Sequence, residues 1–242
     1  YQIDMEELAS KITDKTKMIV IVNPSNPTGG VLSRETLEKL SQLAIKNDLL
    51  VVADEIYSQL VYDDTKHVSI ASLPGMKERT ITLGGFSKAY SMTGWRLGYM
   101  CAPKGIIAAC VRVHQYTITC ASSFVQDAAI TALRDCADDV EAMRQEYQRR
   151  KDYAVKALNE IDGISCNNPQ GAFYIFVNVK SLGMPSMEVA EYFLEEAKVA
   201  MVPGSAFGSE GEGYLRLSYS CSYEDLQEAI RRIKDAVEKL KK

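Results

Sequence analysis

The sequence predicts an α/β protein: part of a layered domain with a mostly parallel sheet and helices on both faces, followed by a smaller α+β domain. Three observations carry this. Short apolar, β-branched runs alternate with amphipathic helical segments through the first half of the chain. Each of the first three runs ends in polar or glycine-rich residues. After a long charged helical stretch the pattern changes to alternating strands and short helices. The domains are placed at residues 1–148 and 149–242.

Residues 18–22, MIVIV, form a buried strand that ends at Asn23 and Pro24. Residues 25–30 are a turn by composition. Ser33 then precedes a helical pattern with Leu37, Leu40 and Ala44 on one face. Buried strands follow at 49–53, closed by Asp54 and Glu55, and at 80–83, closed by Gly84 and Gly85; a fourth strand covers 97–102. Residues 104–134 are mainly helical, and 138–161 form a long helix bridging the domains. Beyond it lie a strand at 171–179, a helix at 186–198, short strands at 199–202 and 214–219, and a final helix capped by Ser222. Lys239, Lys241 and Lys242 read as cations at that helix's C-terminus, where they complement its dipole.

Composition narrows the function classes. The 242 residues are 46% hydrophobic and 25% charged, ordinary for a globular enzyme. A net charge of -4 without a basic block offers no surface for nucleic acid. The apolar runs are about five residues long, whereas a bilayer span needs about twenty. The six cysteines lack C-x-x-C spacing and read as reduced thiols of a cytoplasmic protein. His67 and His114 lack metal-like spacing, and both read as structural. The chain opens on Tyr1, without an initiator Met or a charged-then-apolar leader. A fragment without a secretory signal is expected.

In open α/β sheets ligands collect at the carboxyl ends of the strands. There this chain carries a carboxamide (Asn26), a carboxylate (Asp54), a phenol (Tyr57) and an amine (Lys88). That is the set a Schiff-base cofactor needs: an amine for the covalent imine, and an anion to keep a pyridine nitrogen protonated.

These residues also carry a resemblance. The stretch GFSKAYSMTGWRLG at 85–98 resembles the cofactor-attachment signature of class I aminotransferases of fold type I. NPSNPTG at 23–29, ADEIY at 53–57, PGSAF at 203–207 and LRLSY at 215–219 resemble that family's other landmarks, in the same order. The resemblance implies an enzyme dependent on pyridoxal 5'-phosphate (PLP) that moves an amino group between an L-amino acid and a 2-oxo acid, usually as a homodimer. It implies that Lys88 carries the cofactor and shuttles the proton, and that Asp54 pairs with the pyridine nitrogen. Tyr57 and Asn26 would hydrogen-bond the cofactor's phenolic oxygen. Arg96 would grip the phosphate with help from Ser87. Arg216 would take the substrate α-carboxylate, with Asn26 beside it. Each residue also has a plainer reading: a solvated surface lysine, a loop or cap aspartate, a core aromatic, turn chemistry for Asn26, a structural ion pair for Arg216. Glu55 reads as the loop or cap carboxylate of the Asp54-Glu55 pair.

In the family more than a hundred residues precede this stretch, supplying further strands, a phosphate-binding loop, a ring that stacks on the cofactor and a tyrosine from the partner subunit. The chain therefore reads as a C-terminal part, with its four large-domain strands side by side, a raw sheet edge and half a cofactor site. Residues 113–133 contain no Lys or Arg, against one mode of dicarboxylate recognition. Parts of 113–123 and 171–184 resemble N-acetyl-LL-diaminopimelate aminotransferases and their aspartate/aromatic relatives. Three rivals stay open: a C–S β-lyase of the same fold, an inactive cofactor-binding fragment, and a serine hydrolase. The last needs G-x-S-x-G, which Ala89 breaks.

Overall fold

The computed structural model describes residues 1–240; Lys241 and Lys242, two of the lysines read as helix-end cations, lie outside the described residues. The chain divides into two compact units, one of Tyr1–Pro24 and Gly30–Arg144, the other of Ser25–Gly29 and Gln145 onward.

The first unit opens with α1 (Met5–Ser10), β1 (Met18–Val22), α2 (Arg34–Lys46), β2 (Leu50–Asp54), β3 (Thr80–Gly85) and β4 (Gly98–Cys101). The sheet order is β1-β2-β3-β4, in sequence order. The first three strands are parallel, and β4 runs antiparallel to β3. Alternation along each strand decides what is buried. Ile19 and Ile21 of β1 and Val51 and Ala53 of β2 share a core with Leu37, Leu40 and Ala44 of α2. Leu37, Leu40 and Ala44 are 0% exposed, and burying each leucine contributes about 1.5–3 kcal/mol. Ser33 caps α2, accepting from the Thr36 N–H at 3.1 Å.

The expectation that β1 is buried throughout needs correction. Met18, Val20 and Val22 are 46%, 64% and 38% exposed. Only one face of β1 is packed, so the strand alternates although its sequence is continuously apolar. The single helical stretch expected at 104–134 is two helices, α3 (Lys104–Thr117) and α4 (Ser123–Asp135). Between them Thr119 takes a positive φ of 74°, which a helix cannot continue. α3 buries none of its residues, whereas α4 buries Val125, Ala129 and Ala132.

The long helix α5 (Ala137–Asn159) is laced by pairs at helical spacing, Arg144 with Glu141 at 2.7 Å and Arg150 with Glu146 at 2.9 Å. The division between units falls within it, after Arg144. Residues 25–29 belong to the second unit because the Gly29 carbonyl accepts from the Gln170 and Gly171 N–H groups at 2.8 and 2.9 Å. At Gly29 φ is +68°, and a Cβ there would lie 2.4 Å from Pro169, so only glycine fits.

The second unit continues with β5 (Ser165–Cys166), β6 (Tyr174–Asn178), α6 (Ser186–Tyr192), β7 (Val202–Pro203), β8 (Tyr214–Ser218) and α7 (Tyr223–Leu240). Its sheet is antiparallel in the order β5-β6-β8-β7. Ile175, Val177, Leu215 and Leu217 share one face and are at most 4% exposed. Leu226, Ile230, Ile233 and Val237 form the buried stripe of α7, and Ser222 caps it through the Asp225 N–H at 3.0 Å. The helix expected at 186–198 changes at Phe193–Ala197 to π-helical turns and ends at Lys198, φ 56°. The strand expected at 199–202 reduces to Val202–Pro203.

Candidate cofactor and carboxylate site

In the first unit the register pairs Val22 with Asp54 and Asp54 with Leu83, so β1, β2 and β3 release their next residues at one edge of the sheet. The Asn23 N–H donates to the Asp54 carbonyl and the Glu55 N–H to the Leu83 carbonyl, each at 2.9 Å. Asn23 is 1% exposed; its Oδ1 accepts from the Leu32 N–H at 2.9 Å, while its Nδ2 is buried without a partner. The Asp54 carboxylate turns the chain by accepting from the Ile56 N–H at 3.1 Å. It forms no ion pair among the described residues, which leaves its charge for a cation. Tyr57, three residues on, is 4% exposed. The Lys88 ammonium lies 5.8 Å from the centroid of the Tyr57 ring. Three predicted residues from two strand ends, Asp54, Tyr57 and Lys88, thus belong to one edge.

The loop between β3 and β4 holds Lys88 by closing on itself. The Phe86 N–H donates to Leu97, the Met92 N–H to Phe86 and the Ser91 N–H to Lys88. The Thr93 hydroxyl reaches the Ser87 carbonyl at 2.8 Å. Arg96 is exposed; its Nη1 donates to the Thr93 carbonyl at 2.8 Å. Ser91 and Arg96 hold positive φ values of 52° and 54°, conformations that persist only when surrounding contacts impose them. Where β3 and β4 pair, Gly84 faces Tyr99, and a Cβ on Gly84 would lie 2.4 Å from that ring. Burial pushes the Tyr99 phenol above its ordinary range.

Amine, carboxylate, phenol and guanidinium on these loops, with the carboxylate unpaired, fit a cofactor that has a carbonyl, a basic ring nitrogen and an anionic arm. A separate cavity of about 410 Å³ opens behind the loop, lined by Met92, Trp95, Ala132, Val140 and Met143. No predicted site residue lines it, and its walls are mainly apolar.

The second unit brings together the other two predicted residues. The Arg216 Nη1 donates to the Asn26 Oδ1 at 2.9 Å. Both X-Pro bonds of the 23–29 segment, Asn23-Pro24 and Asn26-Pro27, are cis. Among the described residues Arg216 makes no ion pair; its one side-chain hydrogen bond is to Asn26.

One polar pair escaped the sequence reading. Glu55 is 9% exposed, and its Oε2 lies 3.2 Å from the His67 Nε2. That approach is misaligned for a hydrogen bond, and neither His67 nitrogen has another partner. Glu55 is therefore a loop carboxylate, as expected, but a buried one beside a histidine. Twelve residues separate the two without motif or periodicity, so nothing local signals the contact.

The chain is similar to known proteins along nearly its whole length. The family model described as aminotransferase class I and II matches residues 1–233. An aspartate aminotransferase of Pyrococcus abyssi is 49% identical over 243 residues, covering 100% of this chain and 62% of its own length. An aromatic-amino-acid aminotransferase of Thermococcus litoralis is 46% identical, with 100% and 62% covered. The crystal structure of an aromatic aminotransferase from Pyrococcus horikoshii superposes with a TM-score of 0.97 at 47% identity, covering 99% of this chain and 64% of that one. The chain thus spans about 62% of the length of these curated relatives.

Proposed function

Since the chain belongs to the class I and II aminotransferases, we propose that its parent protein transfers an amino group between an L-amino acid and a 2-oxo acid. The observation that carries this is the set of Asp54, Tyr57 and Lys88 beyond the carboxyl ends of the parallel strands β2 and β3. The family depends on PLP, which when bound supplies a carbonyl for the amine and a ring that accepts electrons from the substrate Cα.

In this reading Lys88 Nζ holds the cofactor and then moves the proton at the substrate Cα, as general base and then acid. Asp54, without a cation partner of its own, keeps the ring nitrogen protonated. The Tyr57 hydroxyl and the Asn26 amide bind the ring oxygen. Arg96 holds the phosphate dianion with its planar fork, and Ser87 adds a hydroxyl. Arg216 orients the substrate through its α-carboxylate, with Asn26 beside it. The proposed substrates are those in the names of the relatives, aspartate and aromatic amino acids. N-acetyl-LL-diaminopimelate is included because a probable aminotransferase for it from Bacillus subtilis is 45% identical. A homodimer is supported by the exposed apolar side chains Val113, Tyr116 and Phe124. Six free thiols support a cytoplasmic location.

The test is the absorption spectrum after incubation with PLP and dialysis, beside Lys88→Ala. A retained, borohydride-reducible visible band in the parent protein, lost in the variant, is expected. A band that survives in Lys88→Ala would overturn the assignment. With amino donor added, the cofactor's amine form is expected. Release of pyruvate and ammonia instead would make the protein a β-lyase.

A further inference from the structure

The Arg216 guanidinium lies against aromatic rings and pairs with no acid among the described residues. On the paired strands β6 and β8, Phe176 lies opposite Arg216 and Asn178 opposite Tyr214. Directly opposed residues point the same way, so Tyr174, Phe176, Tyr214 and Arg216 share the face opposite the Ile175/Leu217 core. The Arg216 guanidinium carbon lies 4.6 Å from the Tyr174 ring centroid and 5.1 Å from that of Phe207. Phe207 is itself backed edge-on by Phe176 at 6.4 Å, and Phe176 stacks on Tyr214 at 4.9 Å with the planes 2° apart. The Arg216 Nε is buried without an acceptor.

We infer that Tyr174 and Phe207 are positioning residues that seat the Arg216 guanidinium on ring faces, fixing its orientation without neutralising it. The inference rests on the reading of Arg216 as the substrate-carboxylate anchor. A buried arginine is ordinarily fixed by a carboxylate, which consumes its donors and cancels its charge. A ring quadrupole attracts the cation through its face and takes none of the in-plane donors. Among the described residues only one of its donors is spent, on Asn26. The guanidinium thus stays oriented and positive for an incoming anion. The rings lower the cost of binding and leave the reaction at Cα untouched.

The experiment replaces Phe207 in the full-length protein by phenylalanines bearing one, two and three fluorines, which weaken the ring quadrupole at nearly constant shape. Tyr174→Phe and Tyr174→Leu accompany them. KM for amino acid and 2-oxo acid is expected to rise stepwise with fluorination and in Tyr174→Leu, to about tenfold, the range of a partly desolvated cation–π contact. kcat should stay within about twofold, the mark of lost uniform binding. Tyr174→Phe, which keeps the ring face, should raise KM less than Tyr174→Leu. A readout independent of turnover is the NMR signal of the Arg216 Nε–H, assigned by its loss in Arg216→Lys and titrated with succinate. A succinate midpoint that climbs with fluorination in a protein without transaminase activity would sink the proposed function and leave this inference standing. Unchanged midpoints and unchanged KM across the fluorinated series would overturn the inference, as would an Arg216 signal that ignores succinate in wild type.

Discussion

At the scale of single residues, burial separates side chains that look alike in sequence. Asp54 and Glu55 are neighbouring carboxylates at the end of one strand, and alternation sends them to different surroundings. Asp54 is half-buried with one backbone donor, whereas Glu55 lies 9% exposed against His67. An exposed helical pair such as Lys39 with Glu35 is screened by water and contributes little. The His67 side chain is only 11% exposed and packs against Glu55, so His67→Ala leaves a gap and is expected to lower the unfolding free energy by about 1–3 kcal/mol in urea titration. A loss below about 0.5 kcal/mol would mean that this contact contributes nothing to the fold.

At the scale of elements, caps and close approaches turn local signals into defined ends. The N-terminus of α6 has no capping side chain of its own at Pro185. Glu212, from a distant loop, supplies the cap instead, accepting from the Ser186 N–H at 2.7 Å and its hydroxyl at 2.9 Å. These hydrogen bonds hold the Glu212 carboxyl below its ordinary value of 4.5. With the folded value depressed, the stabilisation is present above the ordinary carboxylate pKa and lost as pH falls through the folded one. Thermal scans below about pH 4.5 should show a steeper fall in Tm for wild type than for Glu212→Gln. Parallel slopes would place the acid sensitivity elsewhere.

At the scale of the whole molecule, apolar surface is the main anomaly. Tyr116, Phe124, Val113 and Ile118 are 94%, 72%, 68% and 67% exposed. Val113 and Tyr116 lie on α3, Ile118 just beyond it and Phe124 in the first turn of α4, and Val20 of β1 is 64% exposed. Large apolar side chains exposed close together in sequence mark a candidate site of association. The chain as it stands is expected to bind the dye ANS. Combined Val113→Lys, Tyr116→Ser and Phe124→Ser should reduce that fluorescence while changing the unfolding free energy by no more than about 0.5 kcal/mol, since the side chains are already in water. Undiminished fluorescence would move the binding surface elsewhere, to the open face of β1 first.

The sequence by itself determined the main elements and set the candidate chemistry at their ends. The strands read at 18–22, 49–53 and 80–83, the Ser33 cap, and the polar ends carrying Asp54, Tyr57 and Lys88 were legible because each depends on near neighbours: a short apolar run, a cap three residues ahead, a motif of contiguous residues. Tertiary structure alone decided which face of β1 is packed, since five apolar residues in a row carry no sidedness. It alone paired Glu55 with His67, Glu212 with Ser186, and Arg216 with the rings of Tyr174 and Phe207. Those partners lie from 9 to 42 residues apart along the chain, and only packing in three dimensions selects one distant neighbour from the many that local chemistry allows.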